Sequence, residues 1–123
     1  MLNKRIKATN MELTDAISNY VHKKVDVLMK FIEPDVDALA EIEIGRTTNH
    51  HHKGDVYKAE MNLTVGKDNF QIVMIESDLY AAIDKMKDRI VQDVKRSKRK
   101  RLHLFKRGHQ KLKDILRGWR RSE

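Results

Sequence analysis

Between Lys95 and Arg101, six of seven residues are cations: Lys95, Arg96, Lys98, Arg99, Lys100 and Arg101, with no carboxylate among them. Ammonium and guanidinium groups at this density cannot neutralise one another. Their chemistry is the binding of phosphate or carboxylate, by charge and by charge-assisted hydrogen bonds. A charge run alone often does no more than keep a helix end wet. The distribution of charge points further. Residues 95–123 hold 13 Lys+Arg against 2 Asp+Glu, whereas residues 1–94 hold 13 against 16, and the whole chain carries +8. Basic character gathered into one quarter of a chain is the electrostatic footprint of nucleic-acid binding.

The other candidate groups are weaker. His50, His51 and His52 are potential metal ligands, but consecutive histidines cannot all point at one ion, and no cysteine assists them. A polar loop that touches RNA is the better reading of them. Asp84 and Asp88 stand four apart at helical spacing, as a paired acid and base would. With Lys85, Lys87 and Arg89 around them, surface ion pairing or the positioning of those cations is favoured. No serine has a nucleophile-elbow context and the five glycines form no phosphate-cradling motif. We therefore expect no enzyme, no cofactor, no metal and no small-molecule substrate. The absence of cysteine fits a reducing cytoplasm. No apolar run approaches bilayer length and the first ten residues hold no signal-peptide core, so no membrane partner is expected.

These groups need elements to position them. At 123 residues, with 36% charged and 40% hydrophobic, one modest core is the simplest organisation. Residues 2–8 alternate, Leu2, Lys4, Ile6 and Ala8 against Asn3, Arg5 and Lys7, which predicts a strand with one wet face. Residues 13–32 carry Leu13, Ile17, Tyr20, Val21, Val25, Leu28, Phe31 and Ile32 at helical spacing, with Thr14 as N-cap and Pro34 as terminator. Two more strands follow at 36–44 and 57–65, then a turn at 66–69 and a strand at 70–75 that is apolar on both faces except for Gln71. A second helix over 78–101 begins at Ser77 or Asp78 and lines Leu79, Ile83, Met86, Ile90 and Val94 along one side. Its apolar stripe stops where the cation run starts. The order β-α-β-β-β-α predicts a two-layer α+β sandwich. It has a four-stranded sheet, both helices on one face, parallel pairing across the first crossover and antiparallel hairpins after it.

Three stretches then carry a resemblance: DLYAAID at 78–84, KGDVYKAEMNL at 53–63, and the spacing of Thr14, Ala16, Val21 and Lys24. In this order on these elements, the chain resembles the ribosome hibernation-promoting factor family, also called the ribosome-associated inhibitor or sigma-54 modulation family. The match runs over about residues 2–102. The resemblance implies a cytoplasmic protein that binds the small ribosomal subunit and its ribosomal RNA. There it occupies the channel of messenger and transfer RNA, and so inhibits translation by competition and not by chemistry. Carried over by position, the RNA-binding residues are Lys23 and Lys24 on the first helix and Lys85, Arg89, Lys95, Arg96 and Lys98 on the second. Arg99, Lys100 and Arg101 extend the same end by composition.

The residues themselves are compatible with this. Lys85, Arg89 and Arg96 share one flank of the second helix at spacings of four and seven. Set beside Lys23 and Lys24, they would form a basic groove with little sequence preference. Tyr80 and His22 are possible stacking residues, Tyr80 more simply a partly buried one. A general structured-RNA binder or ribosome assembly factor on the same fold is the alternative.

Long family members carry a further C-terminal domain that pairs ribosomes. This chain ends too soon for one, which suggests a short form or a fragment, with a domain over 1–102 and a basic tail over 103–123. The tail holds Leu112, Ile115, Leu116 and Trp119 at helical spacing. It reads as a disordered stretch that orders on the ribosome or as a short amphipathic helix that anchors RNA or docks a protein.

Overall fold

The structure is a computed structural model that describes residues 1–47 and 56–121, the last five by their backbone alone. Four strands, β1 (Leu2–Thr9), β2 (Ala38–Thr47), β3 (Val56–Val65) and β4 (Asp68–Glu76), form one open sheet in the order β1-β2-β3-β4. Helix α1 (Asp15–Val25) runs into a 3-10 turn (Asp26–Phe31) between β1 and β2, and α2 (Leu79–Arg121) follows β4. β1 pairs parallel to β2, as a helical crossover requires, while β2–β3 and β3–β4 are antiparallel. The expected α+β arrangement is the one found.

Register follows from side-chain alternation. On one face the cross-strand rows run Lys4–Ala40–Leu63–Phe70, Ile6–Ile42–Met61–Ile72 and Ala8–Ile44–Ala59–Met74. Ala40, Ile44, Ala59, Met61 and Leu63 are wholly buried on this face. It is covered by Val21 and Val25 of α1, Leu28 of the 3-10 turn and Leu79, Ala82, Ile83, Met86 and Ile90 of α2, all buried, as is Val94. Each of the five stripe positions expected on α2 is buried. Both helices lie on the same face, since Tyr20 of α1 meets Tyr80 of α2 edge-on with ring centroids 4.7 Å apart.

Local chemistry sets the ends of the elements. The Thr14 side chain accepts from the Ile17 N–H at 3.2 Å and opens α1. The Asp78 side chain accepts from Ala81 N–H at 3.2 Å and its carbonyl from Ala82 N–H at 3.0 Å, which makes Asp78, not Ser77, the cap of α2. A two-residue turn, Gly66-Lys67, joins β3 to β4 with Gly66 at φ +58°, the first central position where such hairpins favour glycine.

Several boundaries differ from the sequence-based expectation: the strand expected over 36–44 runs Ala38–Thr47, the turn expected over 66–69 narrows to Gly66-Lys67 because the strand expected over 70–75 runs Asp68–Glu76, and both helix ends move. The helix predicted over 13–32 is α-helical only to Val25. Beyond it, winding near three residues per turn stacks Val25, Leu28 and Phe31 in line, and Asp26 pairs with Lys4 of β1. The helix predicted to end near Arg101 continues without a break to Arg121.

Candidate nucleic-acid interface

The sheet's open face is poorly suited to a polyanion, because its ions cancel. Arg5 and Lys7 of β1 stand opposite Glu41 and Glu43 of β2, and Lys58 of β3 balances Glu60 of its own strand. Glu43 accepts from Thr9 Oγ1 at 3.0 Å and lies 3.7 Å from Lys58 Nζ, which also reaches Glu60 at 3.6 Å. At β4, Asn69 donates to Asn62 and Thr64, while Val73 and Ile75 stand exposed. The cations that can meet phosphates lie on the helices.

On α1, Lys23 is exposed and Lys24 is half-buried. The Lys24 ammonium sits 3.2 Å from Asp84 of α2 and 5.3 Å from the centroid of the Tyr20 ring. Asp84 also accepts a 2.6 Å hydrogen bond from the Tyr20 hydroxyl. One carboxylate thus ties α1 to α2 through two donors. Burial pushes the Asp84 carboxyl up, but the hydrogen bonds from Tyr20 and Lys24 and the charges of Lys24 and Lys87 outweigh it and hold the group below its ordinary value. The hydrogen bond to Asp84, with burial adding, pushes the Tyr20 phenol up to about 12.

On α2, Lys85 is exposed and pairs with Glu76 at 2.6 Å, and Arg89 reaches Asp93 at 3.4 Å. Exposed ion pairs of this kind are worth about 0–1 kcal/mol, so an incoming phosphate can take either cation at little cost. Lys95, Arg96, Lys98, Arg99, Lys100 and Arg101 are all exposed. The structure therefore joins Lys24 to α2 through Asp84 and sets the six-cation run on a continuous helix.

A family model described as sigma 54 modulation protein / S30EA ribosomal protein matches residues 5–102. The chain belongs to that family. Among curated proteins it is 26% identical over 98 residues to the ribosome hibernation promotion factor of Staphylococcus aureus (strain COL), covering 80% of this chain and 49% of that protein. The chain spans about half the length of that relative. Among solved structures, the N-terminal domain of Thermus thermophilus Protein Y is 30% identical with a TM-score of 0.63, covering 77% of this chain and 96% of that one. A ribosomal subunit interface protein from Coxiella burnetii has a TM-score of 0.57 at 12% identity, covering 80% and 98%, which shows a shared fold alone.

One feature of the helix pair escaped sequence reasoning. Tyr20 read as core, yet it is half-buried and spends its hydroxyl on Asp84, 64 residues away. Helical spacing identifies a face but not the partner that covers it. Tyr80 is 41% exposed and packs on Tyr20, so its edge contact is partial, as its amphipathic ring allows. His50, His51 and His52 lie outside the described residues; among those described, no three His, Asp or Glu come together as metal ligands. No described helix is long and apolar enough to cross a membrane.

Proposed function

We propose that this chain is a non-catalytic inhibitor of translation that binds the small ribosomal subunit and keeps idle ribosomes inactive. On this reading Lys23 and Lys24 of α1, and Lys85, Arg89 and the cations from Lys95 to Arg101 of α2, grip ribosomal RNA. The protein occupies the channel of messenger and transfer RNA in the cytoplasm and competes with both. One observation carries the reading. A helix whose first turns build the core continues as an exposed run of six cations in seven residues, with no carboxylate among them. Family membership and the name of the Staphylococcus aureus relative support the ribosome as the polyanion. Phosphate binding by counterion release, with shape and not sequence as the criterion, suits structured RNA.

The test is co-sedimentation of the pure protein with separated small subunits, large subunits and whole ribosomes, with and without messenger and initiator transfer RNA. Pelleting with small subunits and whole ribosomes, reversed by those ligands, is expected. Equal affinity for any duplex RNA would instead make the protein a general structured-RNA binder.

A further inference from the structure

From Leu102 to Leu116 every residue of α2 is exposed. This includes large apolar side chains, with Phe105 at 70%, Ile115 at 58% and Leu104 and Leu112 at 55% each. Their placement is not scattered. At about 100° per residue, Leu104, Phe105, Gly108, Leu112, Ile115 and Leu116 fall within one arc of roughly 120°. Lys106, Arg107 and Lys113 occupy the opposite side, and Lys111 stands just beyond one edge of the arc. Phe105 and His109 stack at 6.2 Å with rings 11° from parallel, along one edge of the arc. At Gly108 an added Cβ would meet nothing within 4 Å, so the arc has a notch where another backbone can approach closely. None of this belongs to the stretch the family model matches, which ends at residue 102.

The cationic side has an evident use beside RNA, whereas leucines and isoleucine gain nothing from phosphates. An apolar arc this wide on a basic helix is covered by protein, by lipid or by a second copy. Charge argues against the second copy: residues 102–121 hold seven cations against Asp114 alone, so two such helices side by side repel with nothing to neutralise them. Position argues against lipid, on the reading proposed above. A helix whose Lys95–Arg101 stretch grips ribosomal RNA holds the next 15 residues, about 22 Å of helix, at the ribosome, where protein and RNA are the available surfaces.

We infer that the apolar arc of residues 104–116 docks on a ribosomal protein through an apolar surface edged with a carboxylate for Lys111, while Lys106, Arg107 and Lys113 opposite stay on RNA. The inference rests on ribosome binding as proposed above. An amphipathic helix laid into a groove in this way is anchored by residues three and four apart.

A photocrosslinking residue tests it: Phe105→p-benzoylphenylalanine in the full chain, incubated with purified ribosomes, with co-sedimentation measured on the same samples. The expected result is a crosslink to a ribosomal protein, weakened about tenfold by Leu112→Gln with Leu116→Gln. Glutamine keeps the helix propensity but removes the buried carbon, and circular dichroism checks that helicity persists. Pelleting with crosslinks only to ribosomal RNA or to a second copy, or with none, overturns the docking and leaves ribosome binding intact. Crosslinking to anionic vesicles of phosphatidylglycerol in preference to ribosomes also overturns it. Failure to pellet at all overturns both readings.

Discussion

At Gly45 the backbone of β2 passes so close to β1 that a Cβ would stand 2.7 Å from the Thr9 carbonyl oxygen. That carbonyl belongs to backbone paired across the sheet, so it cannot swing aside. Gly45→Ala should destabilise the fold by about 1–3 kcal/mol, the usual cost of forced overpacking, read as a lower urea midpoint. The Tyr20–Asp84 bond makes a second prediction at this scale. Tyr20→Phe should cost about 1 kcal/mol, below the usual range of about 1.5–3 kcal/mol for a bond to a charged group because Asp84 is part exposed. Its pH dependence has a definite sign. Asp84 is depressed, so its share of the stability is present above the ordinary carboxylate value and lost as pH falls through the depressed one. Tyr20 is raised to about 12, so its share is present below the ordinary phenol value and lost between about pH 10 and 12. The difference in unfolding free energy between wild type and Tyr20→Phe should be flat from about pH 6 to 9 and shrink at both ends. A difference that does not change with pH would show that the bond is not formed.

Elements were legible in the sequence to very different degrees. The alternation of β1, β2 and β3 and the stripe from Leu79 to Val94 name their own buried faces, because burial on one side leaves a period of two or 3.6 behind. The strand pairing followed from the element order, a helical crossover and then hairpins. The change to 3-10 winding at Asp26 left no such mark, since Val25, Leu28, Phe31 and Ile32 offer both the step of three and the step of four; the Lys4–Asp26 pair is a tertiary interaction across 22 residues. The end of α2 was hidden for a different reason. The apolar stripe changes character beyond Val94, which resembles a terminus, yet no proline and no capping motif follows, and an isolated glycine only weakens a helix. That glycine supplies a test. Gly108→Ala adds a methyl into open space and should favour the helix by about 0.5–1 kcal/mol, seen as greater ellipticity in the far-ultraviolet helix band. An unchanged spectrum would mean that the segment around residue 108 is not helical in solution.

Across the whole molecule, charge divides the chain in two. Residues 1–94 carry a net negative charge and a sheet face whose ions cancel, whereas the cations after Val94 far outnumber the acids. That division was readable from composition, and so were the positions of the cations. Which of them are tied to carboxylates was not, because Lys24–Asp84 and Lys85–Glu76 depend on how distant segments come together. The difference predicts two classes of variant. Exposed cations on a helix bind phosphate through counterion release, so replacing Arg96, Arg99 and Lys100 together with glutamine should reduce the salt slope of log K for ribosome binding. The reduction should be about 0.7–0.9 for each phosphate no longer neutralised, with the unfolding midpoint unchanged. Lys24→Gln acts on two things at once. It removes a candidate phosphate ligand and also a partner of Asp84, so it should lower both affinity and stability. Titrating binding between about 50 and 200 mM salt, with urea denaturation of the same variants, separates the two. If the triple variant kept the wild-type salt slope, the run from Lys95 to Arg101 would not be touching RNA, whatever the rest of the protein binds.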